Sequence, residues 1–518
     1  MTDYRPYCTL GDVAAALAAH GVLAAVDGDR SLPIRGAACD SRSVEPGNLF
    51  VCKGAAFRPE FLVSALDTGA VAYLCDEAHA AELAAVAPGV PRLVARDLRP
   101  AMAYASAVAW GHPDRRLSVV GITGTKGKTT ATYLLRSMID ALGGEPCGYM
   151  GTHDVFDGLA HTSSVNTTPE APDLWRHLAN AVEAGLRYVV MEVSSQALKY
   201  DRTLGLHLSV GCFLNIGRDH ISPVEHPTFE DYLESKLKLF SQSGVCVVNA
   251  ETDHRGRVLA AAEQSGCPVV TYGLLPPADV WASDLRPCGT SMEFVAHTPG
   301  WSAPLAIPLA GAYNVSNALA GIACLRALGV PSAKAEAACA AGLPAAKVPG
   351  RMEVHQTADG LVTVVVDYAH NDMSYLEFFS AADAVWPKVH RTALFGVSGG
   401  KALNRYVELP SIASQHADLL ILTSDDPGPV DPAELVHEIS ANVAPGVPFE
   451  EEPDREKAVD RAFALACERA AAGERSLVCL LGKGAEDSVL QAGVSVPIEP
   501  DTAHAARLVR EYDEKREH

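Results

Sequence analysis

The chain has no excess of positive charge, and this lack limits the partners that it can bind. Its 518 residues include 42 lysines and arginines against 63 aspartates and glutamates, a formal net charge of −21 at pH 7. No basic stripe offsets this acidity, although phosphate backbones and anionic membrane surfaces both attract such stripes. We therefore expect no nucleic-acid partner and no membrane insertion. A small anionic substrate stays possible because a few buried cations can neutralise it locally.

Paired cysteines and long apolar runs are also missing. The thirteen cysteines are odd in number, and none has CxxC spacing or clusters with histidines at zinc-ligand spacing. This usage fits a reducing compartment better than a disulfide framework. No run of about 18 apolar residues predicts a spanning helix, and MTDYRPYCTLGDVAAALAAHG at the start contains no export signal. The sequence thus predicts a cytoplasmic protein.

Apolar strand-like segments alternate with amphipathic helical segments, which predicts α/β domains with mainly parallel sheets. The Ala-rich segment 333–347 is predicted to be a helix and its exit. A chain of this length exceeds one hydrophobic core. Turn-forming residues in WGHPDRR and KVPGRMEV suggest two boundaries, so we predict domains at 1–112, 113–348 and 349–518. The candidate strands are residues 117–123, 187–194, 209–216, 245–250, 268–273, 361–369, 392–398, 418–424 and 477–483.

The stretch GITGTKGKTTATYLL, residues 121–135, resembles a phosphate-binding loop with unusual spacing. The strict pattern places a glycine five positions before the Gly-Lys pair, where this chain has Ile122. A strand nevertheless leads into the glycines, and a helix follows whose N-terminus attracts anions. Lys128 is then expected to neutralise the β- and γ-phosphates and Thr129 to bind Mg²⁺. The alternative is a glycine-rich turn with a surface lysine. No NKxD-type guanine-reading motif supports a GTPase.

Glu192 ends the apolar segment RYVVMEVSS. An unpaired charge is costly in a buried strand, and a carboxylate at the carboxyl end of a strand beside a phosphate loop is a natural Mg²⁺ ligand. The alternative is an ordinary exposed glutamate at a strand end.

The loop GTKGKTT closely resembles that of the Mur ligases, which use a shortened Gly-x-x-Gly-Lys-Thr loop opened here by Gly124. These enzymes activate a carboxylate with ATP and join an amino acid to a peptidoglycan precursor. The resemblance implies an α/β fold of three domains: an N-terminal UDP-binding domain, a central P-loop ATPase domain with a mainly parallel sheet, and a C-terminal Rossmann-like amino-acid-binding domain. It implies ATP contacts from Gly124, Thr125, Lys126, Gly127, Lys128, Thr129 and Thr130.

The segment CDSRSVEPGNLFVCKG, residues 39–54, resembles the uridine-nucleotide module of the branch that adds the third amino acid. By this resemblance Ser41 and Arg42 lie near the UDP end of the substrate. The residues alone indicate only a polar turn.

Two further segments resemble the substrate-binding parts of the family. In SVNTTPEAPDLW, Asn166, Thr167 and Thr168 are expected to hold the muramoyl dipeptide, although Thr168 before a proline could also cap a helix. In MEVSSQALKYDR, Ser194 and Arg202 are expected substrate contacts. The family often has histidine at position 196, where this chain has glutamine.

Two residues of NIGRDHISPVEHPTFEDYLESKLKLF match a second magnesium site of the family. His220 follows an apolar strand, and Lys236 lies on a predicted helix and matches a lysine that becomes carbamylated. A carbamate supplies anionic oxygen, which Mg²⁺ prefers. From the residues alone, Lys236 would be a solvated helix residue and His220 a structural one. The resemblance thus implies metal ligands at Thr129, Glu192, His220 and Lys236, with Lys128 completing the catalytic set.

The remaining nucleotide contacts follow from LAGAYNVSNALAGIACL, GRMEV and VVVDYAHND. By resemblance, Asn314 and Asn317 lie on the adenine side, Arg351 reaches the phosphates, and Asp367 with His370 lies near the ribose. An arginine after Pro-Gly is otherwise usually exposed.

The amino-acid pocket is where the sequence departs from relatives that use meso-diaminopimelate. Those relatives carry Asp-Asn-Pro-Arg, and this chain has Asp425, Asp426, Pro427 and Gly428. Loss of a charged hydrogen bond from that arginine costs roughly 1.5–3 kcal/mol, or about tenfold to over a hundredfold in binding. The departure favours L-lysine or L-ornithine. Asp425 and Glu486 of GKGAED are expected to receive the side-chain ammonium, and Asp426 is a further expected substrate contact.

A second departure concerns the amino acid's α-carboxylate. In GVSGGKALNRY, Lys401 stands where the family has an arginine. Lysine supplies charge but not a bidentate fork. The alternative interpretation is that Lys401 lies in a solvated loop and does not bind substrate.

The leading hypothesis is an ATP-dependent ligase that forms the muramoyl tripeptide through an acyl phosphate, expected to be a monomer with ATP and Mg²⁺ as cofactors. A Mur-type ligase with another acceptor, as in folylpolyglutamate or cyanophycin synthesis, is disfavoured by the uridine-nucleotide module. A non-catalytic nucleotide-binding relative is supported only by the altered GGKALN loop.

Overall fold

The computed structural model describes residues 8–54, 56–219, 221–222, 225–400 and 402–517. The chain forms two compact units. Unit 1 comprises the chain up to Leu285 together with Glu293–Ala306 and Tyr313–Ala346, and unit 2 comprises Arg286–Met292, Ile307–Ala312 and the chain from Lys347 onward. The three domain boundaries expected from the sequence stay a prediction.

The first part of unit 1 is built around a five-stranded sheet. Its strand order is β2-β7-β6-β5-β4, and all neighbours are parallel except the antiparallel pair β2 and β7. The strands are β1 (Cys8–Thr9), β2 (Leu23–Asp27), β3 (Pro33–Ile34), β4 (Ala37–Ala38), β5 (Leu49–Val51), β6 (Ala72–Asp76) and β7 (Arg92–Ala95). The helices are α1 (Leu10–Ala19), α2 (Pro59–Thr68), α3 (Ala80–Val86) and α4 (Leu98–Ala109).

An eight-stranded sheet dominates the rest of unit 1, with the order β11-β10-β9-β12-β8-β13-β14-β15. Six of its strands are parallel, and a hairpin of short antiparallel strands extends one edge. The strands of the region are β8 (Ser118–Thr123), β9 (Gly148–Met150), β10 (Asp154–Phe156), β11 (His161–Ser163), β12 (Tyr188–Glu192), β13 (Leu208–Phe213), β14 (Ser243–Asn249), β15 (Val269–Tyr272), β16 (Trp281–Cys288), β17 (Ser291–His297) and β18 (Ser302–Ile307). The helices are α5 (Lys128–Asp140), α6 (Ala171–Glu183), α7 (Ser195–Lys199), α8 (Phe229–Leu237), α9 (Arg255–Gln264), α10 (Ala312–Ala327) and α11 (Ser332–Ala345).

The central strand β8 is apolar along its whole length because helices cover both faces of the sheet. Val119, Val120 and Ile122 are fully buried. Ile122 pairs with Glu192 of β12 and with Cys212 of β13, so the carboxyl ends of the three strands lie level. Loops that follow parallel strands therefore meet at this edge, which is the usual ligand-binding edge of such sheets.

Unit 2 contains a six-stranded sheet of order β19-β20-β24-β21-β22-β23, parallel except for β19. A separate hairpin joins β25 and β26. The strands are β19 (Glu353–Gln356), β20 (Val362–Asp367), β21 (His390–Phe395), β22 (Leu419–Leu422), β23 (Phe449–Glu451), β24 (Ser476–Leu481), β25 (Ser488–Gln491) and β26 (Val494–Pro497). The helices are α12 (Asp372–Val385), α13 (Arg405–His416), α14 (Pro432–Ser440), α15 (Arg455–Ala471) and α16 (Asp501–Glu517).

All nine candidate strands are present, within a few residues of the predicted bounds, and the Ala-rich segment forms α11. The predicted α/β class with largely parallel sheets is therefore confirmed. Among the helices of the described residues, none combines the length and the apolar character that crossing a bilayer requires.

Candidate active site

The glycine-rich loop joins β8 to α5 at the carboxyl edge of the large sheet. Gly127 has φ of +81°, a left-handed conformation that favours glycine. A Cβ at Gly127 would collide with the side-chain amide of Asn317, and one at Gly124 would lie 2.9 Å from Cβ of Leu214. Both glycines therefore allow neighbouring groups to approach closely. The loop leads directly into the helix N-terminus, where backbone N–H groups face an anion.

Two lysines converge on the carbonyl groups of this loop. Nζ of Lys128 donates to the Gly124 and Thr125 carbonyls at 2.9 and 3.2 Å, and Nζ of Lys236 donates to the Gly124 carbonyl at 2.8 Å. Lys126 forms an ion pair with Asp219 at 3.1 Å. Thr130 is buried in the first turn of α5. The loop is thus surrounded by cations, as a phosphate site requires.

Lys236 is not the solvated residue that its helix position alone suggested. Its side chain on α8 is 1% exposed. Burial lowers the pKa of its ammonium well below the ordinary value, the nearby charge of Lys128 lowers it further, and Asp219 opposes the change. A lysine with a lowered pKa is more readily a neutral amine, the form that reacts with carbon dioxide.

Glu192 lies at the end of β12 and is fully buried. It accepts hydrogen bonds from the Thr129 hydroxyl at 3.0 and 3.1 Å, from the Tyr149 hydroxyl at 3.1 Å and from the Thr152 backbone amide at 2.9 Å. The alternative of an exposed glutamate at a strand end is wrong. The carboxylate and the Thr129 hydroxyl give two adjacent oxygen donors beside the phosphate loop, a set that fits Mg²⁺.

The structure describes the remaining predicted magnesium ligands only in part. His220 lies outside the described residues, so its position stays a prediction. Within the parts of the chain that the structure describes, no group of three histidine, cysteine, aspartate or glutamate side chains could hold a metal ion. An oxygen site at Glu192 and Thr129 therefore needs ligands from a modified Lys236, from substrate or from water.

The predicted substrate loop lies next to Glu192. The Thr168 hydroxyl donates to the Glu192 carbonyl at 3.0 Å and accepts from the Ser194 amide at 3.0 Å. Thr168 does not cap α6, whose N-cap residue is Glu170. The Thr167 hydroxyl lies 3.3 Å from that of Thr152. Asn166 is half-buried in the same loop, so the loop is fixed against the phosphate-binding edge.

Arg202 holds the same loop from the other side. Its NH1 group donates to the Thr168 carbonyl at 3.0 Å, and its NH2 group pairs with Glu170 at 2.9 Å. Its Nε is buried and has no hydrogen-bonding partner among the described residues. Ser41 and Arg42 form a 3₁₀ turn in which the exposed Arg42 pairs with Asp40, as the polar-turn interpretation predicted.

On the presumed adenine side, Asn314 and Asn317 are both buried in α10. The Asn317 side-chain amide donates to Oδ1 of Asn314 at 3.3 Å, and it also lies against Gly127. The first two helical turns of α10 therefore contact the phosphate loop directly.

In unit 2, Asp367 ends β20 and accepts hydrogen bonds from the Met352 and Ala369 amides, both at 2.8 Å. Burial raises the pKa of this carboxyl group, and Arg351 opposes the rise. The Arg351 guanidinium lies 4.6 Å from the ring centroid of Tyr368, so it is not simply exposed. His370 Nδ1 lies 2.7 Å from the Tyr368 carbonyl.

A pocket of about 130 Å³ opens at the carboxyl edge of the unit 2 sheet. Its polar lining includes Tyr368, His370, Arg405, Asp425, Asp426, Lys483 and Glu486. Lys483 pairs with Asp426 at 3.2 Å and with Glu486 at 2.5 Å, and the Tyr368 hydroxyl donates to Glu486 at 2.7 Å. Two carboxylates and one ammonium leave one net negative charge in this group.

Asp425 has a different environment from Asp426. Its carboxylate is buried between the backbones of Gly396 and Gly482 and pairs with Arg455, which also binds Asp501. Burial raises the pKa of Asp425 to about 6, although Arg455 opposes the rise. Both aspartates line the pocket, but Asp425 is already paired with the buried Arg455, whereas Asp426 pairs with Lys483.

Sequence reasoning missed two pocket cations. Lys401, the predicted contact for the α-carboxylate, lies outside the described residues. Arg405 lines the pocket four positions later, and the Gly-Lys-Gly sequence before Glu486 contains Lys483. The available signals were the spacing of Arg405 from a recognised motif and the position of Lys483 at the end of the apolar candidate strand 477–483.

The sequence is similar to known ligases over most of its length. Residues 122–325 match the Mur ligase middle domain, and residues 350–484 match the Mur ligase glutamate ligase domain. The UDP-N-acetylmuramoyl-L-alanyl-D-glutamate–L-lysine ligase of Enterococcus faecalis is 35% identical over 475 residues, covering 91% of this chain and 90% of that relative.

Solved structures share the fold at lower identity. A UDP-N-acetylmuramoyl-L-alanyl-D-glutamate–2,6-diaminopimelate ligase has a TM-score of 0.64 and 24% identity, covering 99% of this chain and 100% of that one. MurF ligase from Thermotoga maritima in complex with ADP has a TM-score of 0.62 and 17% identity, covering 93% and 98%. Two domain matches and a relative aligned over nine-tenths of both chains therefore place this protein in the Mur ligase family.

Proposed function

We propose that this ligase uses ATP to join L-lysine to the D-glutamyl residue of UDP-N-acetylmuramoyl-L-alanyl-D-glutamate. The observation that carries the choice of a diamino acid without a second carboxylate, such as lysine, is the unit 2 pocket, in which Asp426 and Glu486 leave one net negative charge beside Lys483. That charge complements one side-chain ammonium. The Enterococcus faecalis relative, which is named as an L-lysine ligase, supports the same choice.

The backbone at Gly428 supports a substrate without a second carboxylate. Gly428 has φ of +60°, and its amide donates to the Leu490 carbonyl at 2.8 Å. An arginine in this left-handed conformation would cost about 1–2 kcal/mol. The arginine clamp of diaminopimelate-using relatives is thus absent from the sequence and disfavoured by the backbone. Arg405 is the described cation that we assign to the α-carboxylate.

The reaction needs an activated acyl group because a carboxylate repels an incoming amine. Transfer of the γ-phosphoryl group to the D-glutamyl carboxylate forms an acyl phosphate and ADP. The lysine α-amine then attacks the acyl carbon, and phosphate leaves with the pair of electrons from the broken C–O bond. Lys128 and the N-terminus of α5 stabilise phosphate charge, so catalysis rests mainly on positioning and electrostatics.

We assign Mg²⁺ to Thr129, Glu192, His220 and a carbamylated Lys236. When bound, the metal would neutralise charge on the transferring phosphoryl group. The Thr129 and Glu192 oxygens support this assignment by their adjacency, and the burial of Lys236 supports its modification. ATP contacts are assigned to Gly124–Thr130, Asn314, Asn317, Arg351, Asp367 and His370. Substrate contacts are assigned to Ser41, Arg42, Asn166, Thr167, Thr168, Ser194, Arg202, Lys401, Arg405, Asp425, Asp426 and Glu486.

The enzyme is proposed to act as a cytoplasmic monomer. All thirteen cysteines are free thiols, which suits a reducing compartment. Its substrates are small molecules that such a compartment contains.

The test is ATP-dependent phosphate release with UDP-MurNAc-L-Ala-D-Glu and, separately, L-lysine, L-ornithine or meso-diaminopimelate. We expect turnover with lysine and at least about tenfold lower kcat/KM with diaminopimelate. Preference for diaminopimelate would overturn the pocket assignment and leave a tripeptide ligase. ATP binding without turnover of any amino acid would favour another acceptor or a non-catalytic relative.

A further inference from the structure

Three cations in unit 1 converge on the single carboxylate of Glu170. Oε2 accepts from Lys53 at 3.0 Å and from Arg99 at 3.2 Å, and Oε1 pairs with Arg202 at 2.9 Å. The Glu170 side chain is 13% exposed, and those of Lys53 and Arg202 are 18% and 12% exposed. Glu170, Lys53 and Arg202 are therefore largely desolvated, whereas Arg99 is 38% exposed. Ion pairs are strong and imbalance of charge is costly where side chains are desolvated.

The four residues come from distant segments of the sequence. Lys53 follows β5, Arg99 lies in α4, Glu170 immediately precedes α6, and Arg202 follows α7. Arg202 also donates to the Thr168 carbonyl of the substrate loop. One carboxylate thus joins the uridine-module segment around Lys53 to the loop that is expected to hold the dipeptide.

The charges in this group do not balance. One carboxylate faces three cations, and the pKa of Glu170 lies below its ordinary value because the three cations outweigh the effect of burial. Arg99 also interacts electrostatically with Asp201, which leaves the surplus positive charge on Lys53 and Arg202. Buried Nε of Arg202 has no hydrogen-bonding partner among the residues described. Surplus charge together with a free buried donor indicates an anionic ligand.

We infer that Glu170 is a positioning residue for the UDP-linked substrate: it fixes Arg202 and Lys53 so that their remaining N–H groups face an anionic oxygen group of that substrate. This inference rests on the proposed function. Glu170 itself does not touch the substrate. The anionic group is either a carboxylate of the dipeptide or the diphosphate, since guanidinium and ammonium groups bind both.

Two simpler interpretations give different results. If Glu170 only crosslinks two segments, its loss lowers stability and affects all three substrates alike. If its negative charge merely opposes an anionic substrate, its removal tightens binding. Only the positioning role predicts that loss of Glu170 weakens binding of the UDP-linked substrate while binding of ATP and lysine is little changed.

The experiment compares Glu170→Gln with the wild type in steady-state turnover and thermal unfolding. We expect the KM for UDP-MurNAc-L-Ala-D-Glu to rise about tenfold or more, with the KM for ATP and for lysine within about twofold and kcat within about threefold. Glu170→Asp should recover part of the loss because it restores the charge. Glu230→Gln, which removes a carboxylate paired with Arg257 on the surface of the same unit, is the matched control and should behave as the wild type.

A second variant tests the inference in case Glu170→Gln does not fold. Lys53→Met removes one of the three cations and should raise the same KM about threefold or more. Calorimetric titration with UDP alone separates the two anionic groups: weakened UDP binding in the variants assigns the diphosphate, and unchanged UDP binding assigns the dipeptide carboxylate.

An unchanged or lowered KM for the UDP-linked substrate, or equal changes in all three KM values, would overturn the inference. Failure of the proposed function is distinguishable, because the wild type would then show no turnover with this substrate.

Discussion

Asp426 is the single residue on which the proposed amino-acid preference depends most. Its Oδ1 atom accepts the Leu490 amide at 2.8 Å and lies 3.2 Å from Nζ of Lys483. The carboxylate is thus held in place by the backbone while it faces the pocket. Asp425, its neighbour in sequence, instead forms an ion pair with the buried Arg455.

Replacing Asp426 by asparagine keeps the shape and removes the charge. We expect the KM for lysine to rise about tenfold or more, the value of a charged hydrogen bond, with little change in the KM for ATP. Asp460→Asn, which neutralises an exposed carboxylate paired with His504 in the same unit, is the control. An unchanged KM for lysine in Asp426→Asn would contradict the pocket assignment.

Burial is the property of single residues that the sequence predicted least well. Lys236 and Glu192 are both buried, although their charges alone favoured solvent. The family resemblance assigned them functions, but no local pattern distinguishes a buried lysine on an amphipathic helix from an exposed one. Their burial depends on β13 and β12 flanking β8, a long-range feature.

At the scale of elements, the hairpin of β10 and β11 is held to α6 by one buried carboxylate. Asp157 accepts the Leu159 and Ala160 amides at 3.0 and 2.8 Å, the Asn180 side chain at 2.8 Å, and lies 2.7 Å from Nδ1 of His177. The hairpin leads into the substrate loop. Its two strands have three residues each, which is too short for an alternating apolar pattern to predict them.

Asp157→Asn should destabilise unit 1 by about 1.5–3 kcal/mol near pH 7. Burial raises the pKa of Asp157, but hydrogen bonds from His177, Asn180 and Ala160 outweigh it and hold the pKa below its ordinary value. Its stabilisation is therefore present above the unfolded-state pKa of about 3.8 and is lost as pH falls through the lower folded-state pKa.

The measurement is thermal unfolding of the wild type and Asp157→Asn between about pH 7 and about pH 2, and the difference in Tm should narrow below about pH 4. Asp173→Asn on α6, a half-buried residue paired with Arg176, serves as the control. A difference that widens toward low pH would contradict the assignment.

At the scale of the molecule, the two units have separate hydrophobic cores. Ile421 of β22 belongs to a core formed wholly within unit 2, and Leu178 of α6 belongs to one formed within unit 1. Both side chains are fully buried. A cavity in either core should therefore weaken its own unit first.

Ile421→Ala should cost about 2–5 kcal/mol and accelerate amide hydrogen exchange in peptides of 350–481. Leu178→Ala should accelerate exchange in peptides of 118–249 instead. Exchange measured by mass spectrometry on both variants provides reciprocal controls. Equal acceleration in both regions from either variant would show that the two cores respond as one.

The sequence by itself determined the elements and chemistry that local patterns encode. Apolar segments of 6–9 residues predicted nine of the strands, and the Gly-x-x-Gly-Lys-Thr loop predicted an anion site because its glycines and helix start are adjacent in the chain. Family motifs then identified the ligase.

Only the tertiary structure decided which distant groups meet. The level register of β12, β8 and β13 brings Glu192 to Thr129, and packing of four separate segments gathers three cations around Glu170. These outcomes depend on strand order and register, and residues far apart in sequence carry no local signal of either.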